Sequence, residues 1–204
     1  MGLESYRRSV SESKRASILS AGREIFMKHG YSRAAVSDIA RDADVSTATL
    51  YKHFTSKEEL FITVVREACS DIGNEFADID DGASARAVMR EAARRYLTVQ
   101  FGNNVNALLR IVIAEVPTTP QVAIDTYEII VMRRRKQLVS MIDRLVERNL
   151  LKPHDTGRGV DFIGGMIKEA FIWPALFDAS VTLPDNADEI INEAIEIYFC
   201  RYGV

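Results

Sequence analysis

The chain is poor in the residues that build disulfides, metal centres and redox sites. Its two cysteines, Cys69 and Cys200, stand far apart with no C-x-x-C spacing, which argues against a disulfide framework and a zinc site. The three histidines, His29, His53 and His154, are as widely scattered, and none has a partner at metal-ligand spacing. No metal and no cofactor is expected. Long apolar runs are missing too, since none reaches the ~20 residues that span a bilayer. The first residues, "MGLESYRRSVSESKRAS", lack the apolar centre of a secretory signal. Tyr6 also breaks the M-G-x-x-x-[ST] acylation pattern that Gly2 begins. These absences point to a cytoplasmic protein without a membrane partner.

Catalytic signatures are absent as well. There is no G-x-S-x-G, phosphate-binding loop, H-E-x-x-H or glycine-rich dinucleotide fingerprint. Acidic pairs such as Asp80-Asp81 fall in an expected loop without a partner histidine. The expectation is a protein that is not an enzyme, with a helical enzyme as the weaker alternative. A redox sensor using Cys69 or Cys200 has only Arg66 and Arg201 nearby to activate a thiol, so buried or idle thiols are the simpler reading.

What is present is a helical, globular composition. With 47% hydrophobic and 27% charged residues over 204 positions, the chain can bury a substantial core. Residues 1–60 carry 10 basic against 8 acidic side chains, and the remainder 16 against 21. A slightly basic head on an acidic body points weakly to a polyanion-binding N-terminal module. Alternating strand patterns are scarce, and Gly and Pro fall between helical segments. The expected class is all-α with about nine helices: a three-helix helix-turn-helix domain at 1–60 and a larger helical bundle at 61–204.

Ser9 with Glu12 reads as a capping box for the first helix. Ile18, Ala21, Gly22, Ile25 and Phe26 form its apolar stripe, and Gly30 its stop. A second short helix runs from Val36 to Ala43, and Ser46 caps a third that ends near Phe54. Ser56 with Glu59 opens a fourth that runs past Cys69. Beyond Asp78 the loop "DIDDG" marks a boundary. Further helices follow at about 84–101, 104–116, 120–150, 156–178 and 186–201, with uncertain ends.

The stretch "VSDIARDADVSTATLYKHFTSKEEL" carries the functional signal. Asp44 can adopt the left-handed backbone of a sharp turn at modest cost. Ile39, Ala40, Val45 and Leu50 then point inward and hold two helices at a steep angle. Thr47, Ala48, Tyr51 and Lys52 are left outside, mostly at the end of the second helix that enters a major groove, where small residues allow close approach and hydroxyls can bond base edges or phosphates. Ser46 and the amides near it suit a phosphate, and Lys57 opens the next helix as a backbone-gripping cation. On spacing alone, a small helical subdomain with ordinary caps remains an equal alternative.

The same residues resemble the N-terminal domain of the tetracycline-repressor (TetR) family of bacterial transcriptional regulators. The matching positions are Ile18-Leu19, Ala21, Phe26, Gly30-Tyr31, Val36, Ile39-Ala40, Ala43, Val45-Ser46, Leu50-Tyr51, His53-Phe54, Lys57 and Leu60. The resemblance implies an all-helical DNA-binding head on a larger helical effector domain, working as a homodimer. It also implies that Ser37, Thr47, Ala48, Thr49, Tyr51 and His53 meet bases or backbone and that Lys57 grips phosphate. Two positions depart from the family pattern. Ala35 stands where a capping threonine is usual, and Asp44 where a turn glycine is usual; both could weaken DNA affinity.

The segment "LLRIVIAEVPTTPQVAIDTYEIIVMRRRKQLVSMIDRLVERNLL" resembles the AefR-like branch of the family's C-terminal domains. In its basic run, Arg134 and Arg135 flank the apolar stripe formed by Ile124, Tyr127, Val131, Leu138, Ile142 and Leu145, while Arg133 and Lys136 point away. Solvated arginines paired with acids such as Glu128 are the plainer reading; Arg135 meeting an anionic effector is the sharper one. "VDFIGGMIKEAFIWPALF" is apolar nearly all round, which implies burial on several sides. Gly164 and Gly165 would let another helix approach, and Pro174 would kink the segment. With Ile191, Ile195 and Tyr198 on the last helix, this segment could form a two-fold four-helix interface, as the resemblance implies. Phe101, Tyr127, Met166 and Trp173 could line an effector pocket, though stripes of this kind are more often plain core.

The resulting expectation is a homodimeric repressor that binds a palindromic double-stranded DNA operator and is released by a small-molecule effector. A DNA-binding regulator that senses nothing is the alternative.

Overall fold

The computed structural model describes residues 3–69 and 82–204, the first two of these by backbone alone. Among them the chain forms nine helical stretches and no strand beyond an isolated bridge between Leu151 and Gly203. The acidic loop at Asp80-Asp81, and any continuation of the fourth helix past Cys69, lie outside the described residues.

Two compact units divide the chain. The first takes α1 (Leu3–Arg33), α2 (Val36–Asp42), α3 (Thr47–His53) and α4 (Lys57–Ala68) as far as Glu67, together with Leu108–Thr126. The latter stretch holds most of α6 (Val105–Ala114) and all of α7 (Pro120–Thr126).

The first unit's core follows from its apolar periodicity. Ile18, Phe26, Ile39, Leu50, Phe54, Leu60 and Phe61 are fully buried. Phe26 and Phe61 meet edge to face with ring centres 5.0 Å apart, and Tyr31 lies 5.1 Å from Phe61. Such aromatic contacts add to area burial. α1 starts well before Ser9, which is therefore no cap. Residues from Leu3 onward keep helical geometry, and Glu12 pairs with Arg8 one turn back at 3.0 Å. The Gly30 stop is real: its φ of 76° breaks the helix where a side chain would be strained. Ser56 Oγ accepts the Glu59 N–H at 3.0 Å, but Glu59 answers Thr55, one residue earlier than a regular capping box, through its N–H at 2.6 Å and hydroxyl at 2.7 Å.

The second unit holds α5 (Ala85–Gly102), α8 (Arg133–Glu147), α9 (Thr156–Ile167), α10 (Trp173–Phe177) and α11 (Ala187–Tyr202). In it a π-helical stretch, Tyr127–Met132, leads into α8, and α9 reaches α10 through another, Lys168–Ile172. The second stretch explains how Pro174 is tolerated. The N–H of Trp173 bonds back to the Lys168 carbonyl, so the ladder has already widened before the residue that lacks a donor.

α9 and α11 are pinned by a small polar cluster. His154 bonds the Tyr198 hydroxyl at 2.7 Å and the Lys152 carbonyl at 2.7 Å, and its ring stacks on Tyr202 at 4.0 Å. Gly159 is required here, because a Cβ would stand 2.6 Å from the Tyr198 hydroxyl. Bidentate pairs from Arg86 to Glu196 and from Arg94 to Asp188 tie α5 to α11 along their exposed sides.

Candidate nucleic-acid interface

Asp44 makes the turn between α2 and α3 with φ 54°, and the Val45 N–H closes it on the Ala40 carbonyl at 2.9 Å. Ser46 caps α3: its Oγ accepts the Thr49 N–H at 3.1 Å and lies 2.9 Å from the Thr49 hydroxyl. Leu50 turns inward and is fully buried. That single anchor orients the rest of the helix. Thr47, Ala48 and Lys52 are exposed, Tyr51 keeps 48% of its surface open, and Ser37 on α2 is exposed beside them. Thr49 and His53 are half-buried.

The far end of α3 is held from α1. Arg15 donates to the His53 carbonyl at 3.3 Å and lies 4.3 Å over the Phe54 ring. Nothing in sequence spacing marks this contact, which crosses 38 positions. Ala35, as its composition requires, offers α2 no side-chain cap.

Lys57 is less free than a surface cation. Its ammonium bonds the Ser32 carbonyl at 3.1 Å and sits 4.6 Å over the Tyr31 ring. Burial lowers its pKa, and the Glu115 carboxylate acts the other way. Glu115, at the end of α6, is itself 6% exposed. It accepts the Ser32 N–H at 3.1 Å and hydroxyl at 2.6 Å, and the Thr118 and Thr119 hydroxyls at 2.9 and 3.1 Å. Burial alone would raise its pKa; the four donors outweigh it and hold the carboxyl below its ordinary value.

The second unit rearranges the expected roles. Arg135 is committed to α9: it clasps Asp161 at 2.6 and 2.7 Å and donates to the Gly157 carbonyl at 3.0 Å. Its acid partner is Asp161 in place of Glu128. Tyr127 and Trp173 are each 51% exposed, while Phe101 and Met166 are half-buried. Ile191, Ile195 and Tyr198 are 1–3% exposed within the single chain. Their surfaces are used by the chain's own core and are not available to a partner copy. A Cβ on Gly165 would meet nothing within 4 Å, and on Gly164 only Lys168, so among the described residues no other helix approaches the pair. The apolar surface left open on α9 to α11 belongs instead to Phe162, Trp173, Phe177 and Ile197. Cys69 is buried and its thiol pKa is pushed up by that burial, opposite to what an activated thiol needs. Among the described residues no cluster could hold a metal ion and no helix is long and apolar enough to cross a membrane.

Known proteins match this arrangement along most of the chain. Residues 18–64 match the family model for bacterial regulatory proteins of the tetR family, and residues 87–204 match the model for the C-terminal domain of AefR-like transcriptional repressors. The HTH-type transcriptional regulator UidR of Escherichia coli (strain K12) is 32% identical over 53% of this chain and 55% of its own length. The HTH-type transcriptional repressor DhaR of Mycobacterium sp. (strain GP1) is 34% identical over 37% of this chain. The chain spans 38% of the second of these relatives and about half of the first. A solved TetR-family regulator from Mesorhizobium loti MAFF303099 superposes with a TM-score of 0.83 at 26% identity, covering 95% of this chain and 98% of that one. The chain belongs to the TetR family of bacterial transcriptional regulators, with an AefR-like C-terminal domain.

Proposed function

We propose that this protein is a homodimeric repressor that binds a two-fold operator in double-stranded DNA and is released by a small organic effector. Residues 1–60 read DNA, and residues 61–204 hold the effector and pair the copies. The observation that carries the reading is the outward face of α3. Thr47, Ala48 and Tyr51 stand open on a helix whose only buried side chain is Leu50. In a major groove, Thr47 and Tyr51 supply hydroxyls to base edges, and Ala48 permits close approach or meets a thymine methyl. Ser37, Ser46, Thr49, Lys52, His53 and Lys57 serve the sugar-phosphate backbone, which sets register rather than sequence.

Pairing of two copies is assigned to the open apolar surface of Phe162, Trp173, Phe177 and Ile197. Trp173 and Phe177 stack with ring centres 6.1 Å apart and are 51% and 83% exposed, a costly display unless a second copy covers it. A two-fold dimer then presents two α3 helices to half-sites one helical turn, roughly 34 Å, apart or a multiple of it. Release requires an effector that favours the conformation in which the two heads no longer match that spacing.

The experiment is enrichment of a random duplex library on the purified full-length protein, with the mass of the complex measured in solution. The reading requires an inverted repeat bound by an even number of copies. Recovery of no sequence, or of a site without two-fold symmetry bound by one copy, overturns it.

A further inference from the structure

One arginine of the second unit carries a buried donor that nothing accepts. Arg134, on α8, has a buried Nη2 with no hydrogen-bond partner. Among the described residues no carboxylate pairs with it, whereas its neighbour Arg135 has Asp161. The groups beside Arg134 are the Tyr96 ring, 5.7 Å from the guanidinium carbon, and the Cys69 thiol, which hydrogen-bonds the guanidinium but leaves Nη2 unmet. Burial pushes Tyr96 up to about 12 and raises the thiol of Cys69, so both stay neutral near pH 7 and neither cancels the charge.

A second unmet group stands on the same face of α5. Gln100 is one turn beyond Tyr96 and 1% exposed. Its Nε2 donates to Asn106 Oδ1 at 2.7 Å, while its Oε1, fully buried, receives nothing. Another turn on, Asn103 reaches the carbonyl of Ala68, next to Cys69. Positions 96, 100 and 103 fall on one helix face; Tyr96 on it lies by Arg134, and Asn103 on it reaches Ala68, next to the Cys69 that also meets Arg134. A buried donor nitrogen on a half-buried cation and a buried acceptor oxygen, each left unmade, are costly. Native interiors keep such pairs where something else completes them.

We propose that the space around Arg134, Tyr96 and Gln100 is the effector site, and that it takes an organic carboxylate, with the carboxylate on the Arg134 guanidinium and a hydroxyl or N–H of the ligand on Gln100 Oε1. The inference rests on the reading that this unit holds an effector, and it names that effector's class. A guanidinium matches a carboxylate in planar, two-point geometry, and Tyr96 offers its ring as the flat wall of the site. Arg135 plays no part in binding.

The test uses the full-length protein without DNA. A panel of hydroxy-carboxylates, from lactate and 3-hydroxybutyrate to 3-hydroxydecanoate and salicylate, is compared with the corresponding methyl esters by calorimetry and by the shift in melting temperature. At least one acid binds the wild type more tightly than its ester, and Arg134→Met weakens that acid by about 10- to 100-fold while leaving its ester unchanged. Arg135→Ala keeps the preference for acid. The ligand-free Arg134→Met protein melts no lower than the wild type, because an apolar side chain replaces an unpaired charge. If no acid outperforms its ester, if Arg134→Met keeps the preference, or if that variant melts several degrees lower because Arg134 is structurally partnered, the proposal falls. Acid binding that never releases DNA would instead sink the effector-release reading and leave the site standing.

Discussion

Glu115 accepts both the N–H and the hydroxyl of Ser32, at 3.1 and 2.6 Å, across 83 positions of sequence. The contact fastens the end of α6 to the last turn of α1, and the Ser32 carbonyl is in turn the acceptor for Lys57. Lys57, the side chain proposed for DNA phosphate, is thus set by a carboxylate far away in sequence.

Glu115→Gln is predicted to lower stability by about 1–3 kcal/mol at neutral pH, because the four donors lose their charged acceptor. The folded pKa of Glu115 lies below its ordinary value. Its contribution is therefore complete above the ordinary carboxylate range and disappears as pH falls through the folded value. Denaturant melts from pH 7 down to pH 3 check this: the wild type loses stability across the acid range, and the variant loses correspondingly less.

For Lys57→Gln, affinity is predicted to fall by a similar factor on specific and unrelated duplexes. The slope of log K against log salt flattens by about 0.9, the contribution of one phosphate contact. The readout is fluorescence anisotropy at several salt concentrations. A loss confined to the specific site would mean that Lys57 reads bases.

Asp44 holds φ 54° where a glycine would carry no penalty. Asp44→Gly removes a strain of about 1 kcal/mol together with a negative charge beside α3, the helix proposed to meet DNA. The variant is predicted to melt higher and to bind all duplexes more tightly, with the larger gain at low salt.

Gly159→Ala places a methyl 2.6 Å from the Tyr198 hydroxyl and 2.9 Å from His154 Nε2. Overpacking of this kind costs about 1–3 kcal/mol. A drop in melting temperature is expected, and truncating the obstacle with Tyr198→Phe in the same protein should restore part of it.

The parts of this molecule that could be read from sequence are those decided within a few residues. The Ser46 cap on Thr49, the left-handed Asp44 and the inward Leu50 are all local, and the structure has them as the pattern indicates. The same local rule misleads at Ser9 and Glu12, where the capping signature sits inside a helix that good helix-forming residues had already begun. Periodicity gave α11 an apolar face but could not say what covers it. Ile191 and Ile195 turn to the chain's own core, and Ile197, two residues on, is the one left 54% exposed. Arg134 and Arg135 are adjacent and chemically identical, and about 100° of helical rotation separates one that meets Asp161 from one that, among the described residues, meets no acid. That choice depends on α5 and α9, which the basic run itself does not encode.

The central claim is that the open face of α3 reads base sequence. Its most direct test is competition binding of the wild type, Thr47→Ala and Tyr51→Ala to the enriched site and to a scrambled duplex of the same composition. Both side chains are exposed, so the variants should melt within about 0.5 kcal/mol of the wild type in stability. The account predicts that each loses about 1–3 kcal/mol on the enriched site and almost nothing on the scrambled one. Equal discrimination by all three proteins would contradict it.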